Sequence, residues 1–451
     1  MKSLVIGSGI SGISAADLLV AKGITPVIFD SNEQLSIESI KDRLANPKET
    51  EVYVGFLPGN VIDELEEVVL SPGVPIDSPM VNDLRNLGLH IIGEVELAYR
   101  YDKGNVVAIT GTNGKTTTTA LTGKIIKDKT QNAFIVGNIG NAYTEAVLSS
   151  TKDSSTIAEI SSFQLETIDT FHPHVTAILN ITPDHLNRHH TMEQYIFEKE
   201  KITINQNKND WVILNYEDDE LREFGDRLLK SSEGPKPLFF SSATKLDEGL
   251  YLDGDTIVLS ENGKETRLIS ADELNIIGVH NLENAMAAIG ITYKYGIPME
   301  DILESAKEFK AVAHRIEFIA EKKGVKYYND SKGTNVDAAI KGIMAMSTPT
   351  YLIGGGYDKG VEFDEWIEAF RGKVKKLVLI GQTAEKIASC AKNHGFTDYV
   401  FADSLEEAIN ICASYANEGE SVLLSPACAS WGMFKNYEQR GDMFREIVEK
   451  L

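Results

Sequence analysis

Short apolar runs alternate with stretches of helical period from one end of the chain to the other. This alternation is typical of parallel β-sheets covered by helices, so it predicts an α/β fold. The chain has 451 residues, which is enough for about three domains at roughly 150 residues each. A single small module is therefore excluded.

The order of the runs predicts three domains. Residues 1–100 are expected to form a Rossmann-like domain, and residues 101–311 a central P-loop domain with a mainly parallel sheet. Turn signals within 238–269 predict a small antiparallel patch in that central domain. Residues 312–451 are expected to form a second Rossmann-like, doubly wound domain. The predicted helices include Ser14–Lys22 and Thr117–Lys127.

Charge and cysteine content exclude several classes of partner. The formal net charge is −23, which repels nucleic acid and anionic lipid over most of the surface. Three cysteines without CxxC spacing indicate neither a disulfide framework nor a zinc knuckle. No apolar stretch reaches the roughly 18 residues of a membrane span. We expect a cytoplasmic protein.

The first strand ends in a glycine-rich turn. Gly7, Gly9 and Gly12 fit the pattern GxGxxG, and Asp30 ends the next strand. Such a turn lets a diphosphate approach a helix N-terminus, and the carboxylate can accept from a ribose hydroxyl. The pattern is compatible with NAD or FAD, with a non-redox nucleotide, or with a turn that only packs a helix closely on a strand.

The strongest motif is GTNGKTT (111–117), directly after a predicted strand. Its backbone N–H groups can wrap the β- and γ-phosphates of ATP, Lys115 can neutralise them, and the Thr116 hydroxyl can hold Mg²⁺. Position 109 is Ile instead of the Gly of the general P-loop. The loop therefore belongs to a narrower subtype.

Three further residues complete the predicted metal site. Glu159 ends a neighbouring strand, where a P-loop protein needs an acid, and His185 follows the next strand. Lys199 interrupts an apolar helix face, with Glu198 and its other charged neighbours off that face. A buried amine loses basicity and can add CO₂ to become a carbamate ligand; the alternative is a lysine that only snorkels to the surface.

The third predicted domain carries cations and hydroxyls after its strands. Arg315, Asp330-Ser331-Lys332, Lys359 and the segment 430–437 all follow predicted strand ends. The carboxyl ends of a doubly wound sheet are where ligands bind. In an acidic chain this concentration of cations predicts an anion-binding wall.

An ordered set of motifs spans all three predicted domains. They are GTNGKTT (111–117), GNIG (137–140), EISSFQLE (159–166), PDHLNRH (183–189), GVHNLENAMAA (278–288), HRIE (314–317), NDSKGTN (329–335), GGGYDKG (354–360) and SPACASWGMFKNYEQRGD (425–442). This set resembles the Mur ligase family, which also includes folylpolyglutamate synthase and cyanophycin synthetase. The EISSFQLE segment together with the SPACASWGMFKNYEQRGD ending is far more specific than any single P-loop.

The resemblance implies an activity and its substrates. The motifs are similar to those of family members that join D-glutamate to UDP-N-acetylmuramoyl-L-alanine at the expense of ATP, through an acyl phosphate, in peptidoglycan precursor synthesis. It further implies two Mg²⁺ ions, a carbamylated Lys199 and a monomeric cytoplasmic enzyme. A sister ligase that adds another amino acid, or a folylpolyglutamate synthase, is the main alternative.

The resemblance also implies a role for individual positions. Lys115, Glu159, His185 and Lys199 match the catalytic residues, and Thr116, Glu159, His185 and carbamylated Lys199 match the metal ligands. The positions that match ATP contacts are Gly111, Thr112, Asn113, Gly114, Lys115, Thr116, Thr117, Asn281, Asn284, Arg315, Asp330 and Lys332. Those that match UDP-substrate contacts are Ile10, Ser11, Asp30, Ser31, Ser71, Pro72, Gly73 and Asn138. Those that match the D-glutamate pocket are Lys359, Ser430, Trp431 and Tyr437.

Three departures from the family pattern affect contacts and not the reaction class. Asn32 stands where relatives can carry an arginine, Trp431 where an aliphatic residue is usual, and Tyr437 where Phe is common. Two other classes stay open on the motifs alone. A nicotinamide-dependent oxidoreductase would depend on GxGxxG, and a P-loop switch or motor would depend on ATP hydrolysis without a UDP-sugar.

Overall fold

The computed structural model describes residues 2–130, 132–310 and 312–451. It contains two compact units, one made of Met1–Glu273 and Glu283–Glu308, the other of Leu274–Leu282 and Phe309–Leu451. The predicted boundary after residue 311 falls on a residue outside the described ranges.

The chain begins with a five-stranded, fully parallel sheet in the order β3-β2-β1-β4-β5. This is the predicted Rossmann-like arrangement, and its strands are buried apolar runs covered by helices on both faces. The first helix begins at Ile10, earlier than predicted, because it starts directly from the glycine turn. The elements are β1 Lys2–Ile6, α1 Ile10–Ala21, β2 Thr25–Asp30, α2 Ile37–Lys41, β3 Glu51–Val54, α3 Gly59–Ile62, β4 Leu65–Leu70, α4 Pro79–Asn86, β5 His90–Gly93 and α5 Glu94–Tyr99.

The central region forms a nine-stranded sheet in the order β14-β13-β12-β11-β10-β9-β6-β8-β7. Strand β7 lies at the edge of the sheet and was not predicted, although four of its five residues are apolar. The elements are β6 Asn105–Thr110, α6 Lys115–Lys129, β7 Ala133–Gly137, α7 Tyr143–Ala146, β8 Ser155–Glu159, α8 Ser162–Leu165, β9 Val175–Ile178, α9 Leu186–His189, α10 Met192–Glu200, β10 Trp211–Asn215, α11 Asp219–Leu229, β11 Lys236–Ser241, β12 Gly249–Asp253, β13 Thr256–Glu261, β14 Lys264–Ser270, α12 Val279–Tyr295 and α13 Met299–Glu308.

The predicted antiparallel patch is the meander of β12, β13 and β14. Asn262 and Gly263 have φ of 55° and 71°, the left-handed pair that a two-residue hairpin turn requires. The rest of the sheet is parallel, so the predicted fold of this region is confirmed.

The second unit contains a six-stranded sheet in the order β15-β16-β20-β17-β18-β19. It is parallel except for β15, an unpredicted edge strand that pairs antiparallel with β16 through a tight turn. The elements are β15 Glu317–Lys322, β16 Val325–Asn329, α14 Val336–Ala345, β17 Thr350–Gly354, α15 Asp364–Glu368, β18 Val374–Leu379, α16 Ala384–Asn393, β19 Tyr399–Phe401, α17 Leu405–Tyr415, β20 Ser421–Leu424 and α18 Tyr437–Lys450. Within the described ranges, every helix is too short or too polar to cross a membrane.

Candidate active site

The glycine turn after β1 is held by close backbone packing. A Cβ on Gly12 would lie 1.9 Å from the Gly7 carbonyl oxygen, and Gly7 itself has φ +98° with Ser71 against it. Both glycines are therefore needed for close packing of the helix on the strand, which is one of the roles that the sequence motif allowed. Ile10, at the start of α1, is 81% exposed, and Ser11 beside it is half-buried.

The carboxylate of Asp30 at the end of β2 organises this turn. Its Oδ2 accepts from the Ser8 backbone N–H at 2.9 Å and from the Ser8 hydroxyl at 2.6 Å. Its Oδ1 accepts from the Asn32 N–H at 3.0 Å. Partial burial raises the pKa of Asp30, but these hydrogen bonds outweigh burial and hold the pKa below its usual value. Ser31, Pro72 and Gly73 lie on the loops at the same edge of the sheet.

The P-loop after β6 is held from the neighbouring strand. The Asn113 N–H donates to the Asn180 side chain at 2.8 Å, and the Asn180 amide donates back to the Asn113 carbonyl at 3.0 Å. The Thr112 hydroxyl donates to the Thr182 carbonyl at 3.1 Å. Asn180 and Thr182 were not among the predicted site residues, although both lie in the loop that carries His185. These bonds fix the loop before any nucleotide arrives.

Gly114 allows a close approach to the P-loop that no other residue would permit. It has φ +86°, and a Cβ there would lie 2.2 Å from the Asn284 side-chain oxygen. The Thr118 hydroxyl donates to that oxygen at 3.4 Å. Asn284 is thus beside the P-loop, as expected of a nucleotide contact, and helix α6 begins at Lys115, two residues before the predicted start.

Two lysines meet on one carbonyl oxygen of the P-loop. The Lys115 ammonium donates to the Gly111 oxygen at 2.8 Å and to the Thr112 oxygen at 2.9 Å. The Lys199 ammonium donates to the same Gly111 oxygen at 2.9 Å. The Lys115 cation lies beside a loop whose N–H groups can wrap phosphates, which makes this an anion-attracting site.

Lys199 is buried, with 1% of its surface exposed. Its ammonium lies 4.6 Å from the centre of the Tyr195 ring. Burial lowers the pKa of Lys199 well below its usual range, and the charge of Lys115 lowers the pKa further. The snorkelling interpretation is therefore wrong. One detail of the predicted helix face was also wrong, since Glu198 is buried and the apolar Phe197 is exposed.

The Glu159 carboxylate at the end of β8 fits a cation. The residue is 1% exposed, and its Oε1 accepts from the Asn138 amide at 2.8 Å. Its Oε2 is buried without a hydrogen-bond partner within the described ranges. Burying a carboxylate oxygen without a partner costs free energy, and a bound cation would offset that cost. Carboxylate oxygens are preferred Mg²⁺ ligands. Thr116, also buried, follows Lys115 on α6.

His185 lies on the loop after β9 in a left-handed conformation, with φ of 54°. Its ring packs on Phe163 with centroids 4.9 Å apart, and its Nε2 is 3.5 Å from Asp184 Oδ2. Its side chain is 45% exposed. His189, which the sequence left unassigned, is buried against the Ser162 hydroxyl at 2.9 Å, and burial lowers its pKa to about 4.

A buried ion pair next to this loop was missed in the sequence. The Arg188 guanidinium donates to Glu166 at 2.5 Å and to the Val74 carbonyl at 3.0 Å. It thereby ties the PDHLNRH and EISSFQLE motifs to the loop after β4. Both residues lie within the quoted motifs, but the sequence gives no sign that they pair.

In the second unit, Asp330 and Arg315 form a nucleotide-site candidate. Asp330 is 4% exposed and accepts from the Ser425 hydroxyl at 2.7 Å. Burial raises the pKa of Asp330 to about 7, although Ser425 and Arg315 favour its ionised form. The Arg315 Nε is buried and has no hydrogen-bond partner in the described residues. Asn281, also buried, donates to the Ile277 carbonyl at 2.8 Å.

Three of the predicted D-glutamate residues take part in two cation–aromatic pairs, one of which includes the predicted ATP contact Lys332. The Lys359 ammonium is 5.7 Å from the centre of the Trp431 ring, and the Lys332 ammonium is 5.3 Å from that of Tyr437. Ser430 beside Trp431 is buried, whereas Trp431 is 55% exposed. A bridge between Tyr357 and Ala429 joins the loops that carry Lys359 and Ser430.

Arg440, fully buried at the start of α18, is an organising residue that sequence reasoning did not single out. It donates to the Ser331 hydroxyl at 2.9 Å, the Ser331 carbonyl at 2.6 Å and the Cys428 carbonyl at 3.2 Å. It thus joins the NDSKGTN and SPACAS motifs. In the sequence, the one indication of its importance is its position within the SPACASWGMFKNYEQRGD motif.

Three family models match successive parts of the chain. They are the Mur ligase MurD-like N-terminal domain at residues 1–93, the Mur ligase middle domain at 109–292 and the Mur ligase glutamate ligase domain at 314–428. The chain therefore belongs to the Mur ligase family. The nicotinamide-dependent oxidoreductase is therefore excluded, because the glycine turn on which it depended lies in a Mur ligase N-terminal domain.

Similar curated proteins cover nearly the whole chain. One is a UDP-N-acetylmuramoylalanine–D-glutamate ligase of Lachnospira eligens, 52% identical over 99% of this chain and 98% of that protein. Another, of Lachnoclostridium phytofermentans, carries the same name and is 53% identical over 100% of this chain and 98% of its own. The protein of that name from Clostridioides difficile is 43% identical over 100% and 98%.

Solved structures confirm the fold. MurC from Thermotoga maritima matches with a TM-score of 0.62 at 19% identity, covering 100% of this chain and 99% of that one. MurF from Acinetobacter baumannii matches with a TM-score of 0.62 at 17% identity, covering 99% and 93%.

Proposed function

We propose that this Mur ligase forms the amide bond between UDP-N-acetylmuramoyl-L-alanine and D-glutamate, converting ATP to ADP and phosphate in peptidoglycan precursor synthesis. The observation that carries the proposal is the convergence of Lys115 and Lys199 on the Gly111 carbonyl of the P-loop. The names of the full-length relatives support the choice of substrates.

The reaction must first activate a carboxylate, which is a poor electrophile at neutral pH. The alanine carboxylate of the UDP-substrate attacks the γ-phosphorus of ATP, ADP leaves, and an acyl phosphate forms. The amine of D-glutamate then adds to the acyl carbon and loses a proton to solvent. Collapse of the tetrahedral adduct expels phosphate and leaves the amide.

The residues around the P-loop have distinct roles in this scheme. Lys115 leaves its loop carbonyls to bind the β- and γ-phosphates, and the P-loop N–H groups hold the phosphate oxygens. Glu159 and Thr116 would hold one Mg²⁺, while His185 and a carbamate on Lys199 would hold a second. Bound Mg²⁺ supplies positive charge that offsets the charge developing on the transferred phosphoryl group.

A carbamate on Lys199 is supported by the chemistry of its pocket. A buried amine with a lowered pKa is a better nucleophile toward CO₂ than an exposed ammonium. The carbamate would place an anionic oxygen ligand near the Gly111 carbonyl, where the unmodified side chain is an amine with a lowered pKa.

The remaining sites are assigned by position. Asn281, Asn284, Arg315, Asp330 and Lys332 would hold the nucleotide, and Lys359, Ser430, Trp431 and Tyr437 the D-glutamate carboxylates and chain. A lysine and a hydroxyl suit a carboxylate. The turns with Ile10, Asp30 and Ser71 would hold the uridine diphosphate, and Asn138 the muramoyl group. We further propose a monomer acting in the cytoplasm, with domains at 1–100, 101–311 and 312–451.

The test is phosphate release from ATP with Mg²⁺ and UDP-N-acetylmuramoyl-L-alanine, measured with D-glutamate, L-glutamate, L-lysine or meso-diaminopimelate. Release with D-glutamate alone supports the proposal. Release with another amino acid instead indicates a sister ligase, and no release with any of them contradicts the choice of UDP-substrate.

A further inference from the structure

Two histidines and one aspartate lie at the edge of the central sheet opposite the P-loop. His172 and His174 precede β9, and Asp210 immediately precedes β10, its neighbour in the sheet. The P-loop follows the carboxyl end of β6, so about 15 Å of strand separates the two edges. None of these three residues has a role in the proposed ligase reaction.

The single carboxylate contacts both imidazoles. Asp210 Oδ2 is 2.7 Å from His172 Nε2, and Asp210 Oδ1 is 3.2 Å from His174 Nδ1. One ligating atom from each of the three residues lies within 4.8 Å of the others. The two imidazole rings lie side by side, with their centroids 5.6 Å apart. Two imidazoles and one carboxylate are a donor set for divalent transition metals.

The backbone around this group is fixed before any ligand binds. The His174 N–H donates to the Val106 carbonyl at 3.0 Å, and the Trp211 N–H donates to the His174 carbonyl at 3.1 Å. The Asn207 N–H donates to Asp210 Oδ2 at 2.8 Å. Asp210 is 3% exposed, so its carboxylate is held deep while the rings reach toward solvent.

The geometry points to a binding site for a divalent transition metal of the Zn²⁺ type, with His172 Nε2, His174 Nδ1 and an Asp210 oxygen as ligands. In tetrahedral zinc sites with metal–ligand distances near 2.0–2.1 Å, neighbouring ligand atoms are about 3.3 Å apart. The 3.2 Å distance from Asp210 Oδ1 to His174 Nδ1 is close to this value, and the 2.7 Å distance from Asp210 Oδ2 to His172 Nε2 must lengthen when a metal enters. The His174 side chain is 58% exposed, which leaves a solvent side for a water ligand.

Metal binding requires a definite change at the rings. The nitrogens that face Asp210 must offer a lone pair, so each neutral ring carries its proton on the other nitrogen. The metal then replaces two hydrogen bonds and joins the starts of β9 and β10. Mg²⁺ prefers oxygen ligands, so it does not compete for this nitrogen-rich set.

The described residues include other metal-type donors that serve as controls. Asp364, Cys390 and His394 form a second group, but its Asp364 side chain is 57% exposed. His90 lies between the carboxylates of Glu67 and Asp169, at 3.3 and 3.5 Å. It therefore provides one imidazole near acids without a second imidazole.

The experiment uses the full-length protein, stripped with EDTA, dialysed and kept in excess Mg²⁺. Zn²⁺ binding is measured by equilibrium dialysis for wild type, His172→Gln and His174→Gln, with His90→Gln and His394→Gln as matched controls. We expect one tightly bound equivalent in wild type, at least about tenfold weaker binding in both test variants, and wild-type binding in both controls. A visible Co²⁺ absorption band should be lost in the same two variants.

Three results would overturn the site. They are no tightly bound Zn²⁺ in wild type, unchanged affinity in His172→Gln and His174→Gln, and loss of the bound equivalent in His394→Gln. Far-ultraviolet circular dichroism of each variant shows that its fold is retained. Ligase activity is not needed as a readout, so failure here is distinct from failure of the proposed function.

Discussion

Two glycine-rich turns in the first unit share one backbone plan but differ in electrostatics. Each joins a buried parallel strand to the N-terminus of a helix, β1 to α1 and β6 to α6. In the first, the Asp30 carboxylate already accepts three hydrogen bonds from Ser8 and Asn32. In the second, Lys115 and Lys199 share a carbonyl and the Glu159 Oε2 has no partner within the described ranges.

The difference shows how one turn geometry can carry two different electrostatic environments. The first turn presents a hydrogen-bonded acceptor, an exposed Ile10 and a helix N-terminus, which suits a sugar nucleotide held by hydrogen bonds and apolar contact. The second places Lys115 and Lys199 on one loop carbonyl, and the neighbouring strand ends in Glu159 with an oxygen unsatisfied within the described ranges, which suits a triphosphate with Mg²⁺. Neighbouring side chains, and not the glycines, decide the chemistry.

The largest expected effect is at Lys199. We expect Lys199→Ala to lower phosphate release by about 10³-fold, because it removes the proposed carbamate ligand of the second Mg²⁺. Formate or acetate should partly restore activity if Lys199 acts as a carbamate. Lys127→Ala, exposed on α6, is the control and should keep full activity. Full activity of Lys199→Ala would leave the residue with a packing role.

The next effect concerns the unsatisfied carboxylate of the second turn. Glu159→Gln should lower kcat by about 10²-fold and raise the Mg²⁺ concentration needed for half-maximal rate, because an amide oxygen is a weaker ligand. A magnesium titration of activity checks this, with the exposed Glu145→Gln as control. An unchanged magnesium requirement would remove Glu159 from the metal site.

The packing of the first turn predicts a pair of variants with opposite outcomes. Gly12→Ala should lower the free energy of unfolding by about 2 kcal/mol, since its Cβ would overlap the Gly7 carbonyl. Gly9→Ala has nothing within 4 Å of the new Cβ and should change stability by less than about 1 kcal/mol. Urea unfolding of both proteins measures the difference. Equal effects would contradict the packing account.

The smallest effect is at Asp30. Asp30→Asn should weaken binding of the UDP-substrate about tenfold, measured by calorimetry, because the acceptor loses its charge. Since the pKa of Asp30 is held below its usual value, the ionised group stabilises the fold above that usual value, and this contribution is lost as pH falls through the lowered pKa. Wild type should therefore lose a stability advantage of less than about 1 kcal/mol on acidification. A variant with unchanged substrate affinity would limit Asp30 to shaping the turn.

Much of the fold was predictable because strand and helix periodicity is local. The parallel sheets, the antiparallel patch with its Asn262-Gly263 turn and the P-loop all follow from short segments. Strand β15 was missed because half of its residues are charged, and β7 was missed although four of its five residues are apolar. Glu198 was predicted to lie off the buried face, but it is buried and accepts hydrogen bonds from Gln194 at 2.7 Å and Lys201 at 3.0 Å, partners that helical periodicity does not reveal.

The sequence by itself determined which chemical groups follow which strand, and hence a Mur ligase with a P-loop and a glycine turn. Only the tertiary structure decided which groups have partners. The Lys199 ammonium and the Gly111 carbonyl are 88 residues apart in the chain, and Asp30 meets Ser8 across 22 residues. Burial and hydrogen bonding depend on such distant contacts. These contacts lower the pKa of Lys199, give Asp30 its hydrogen-bond donors and leave the Glu159 Oε2 without a partner in the described residues.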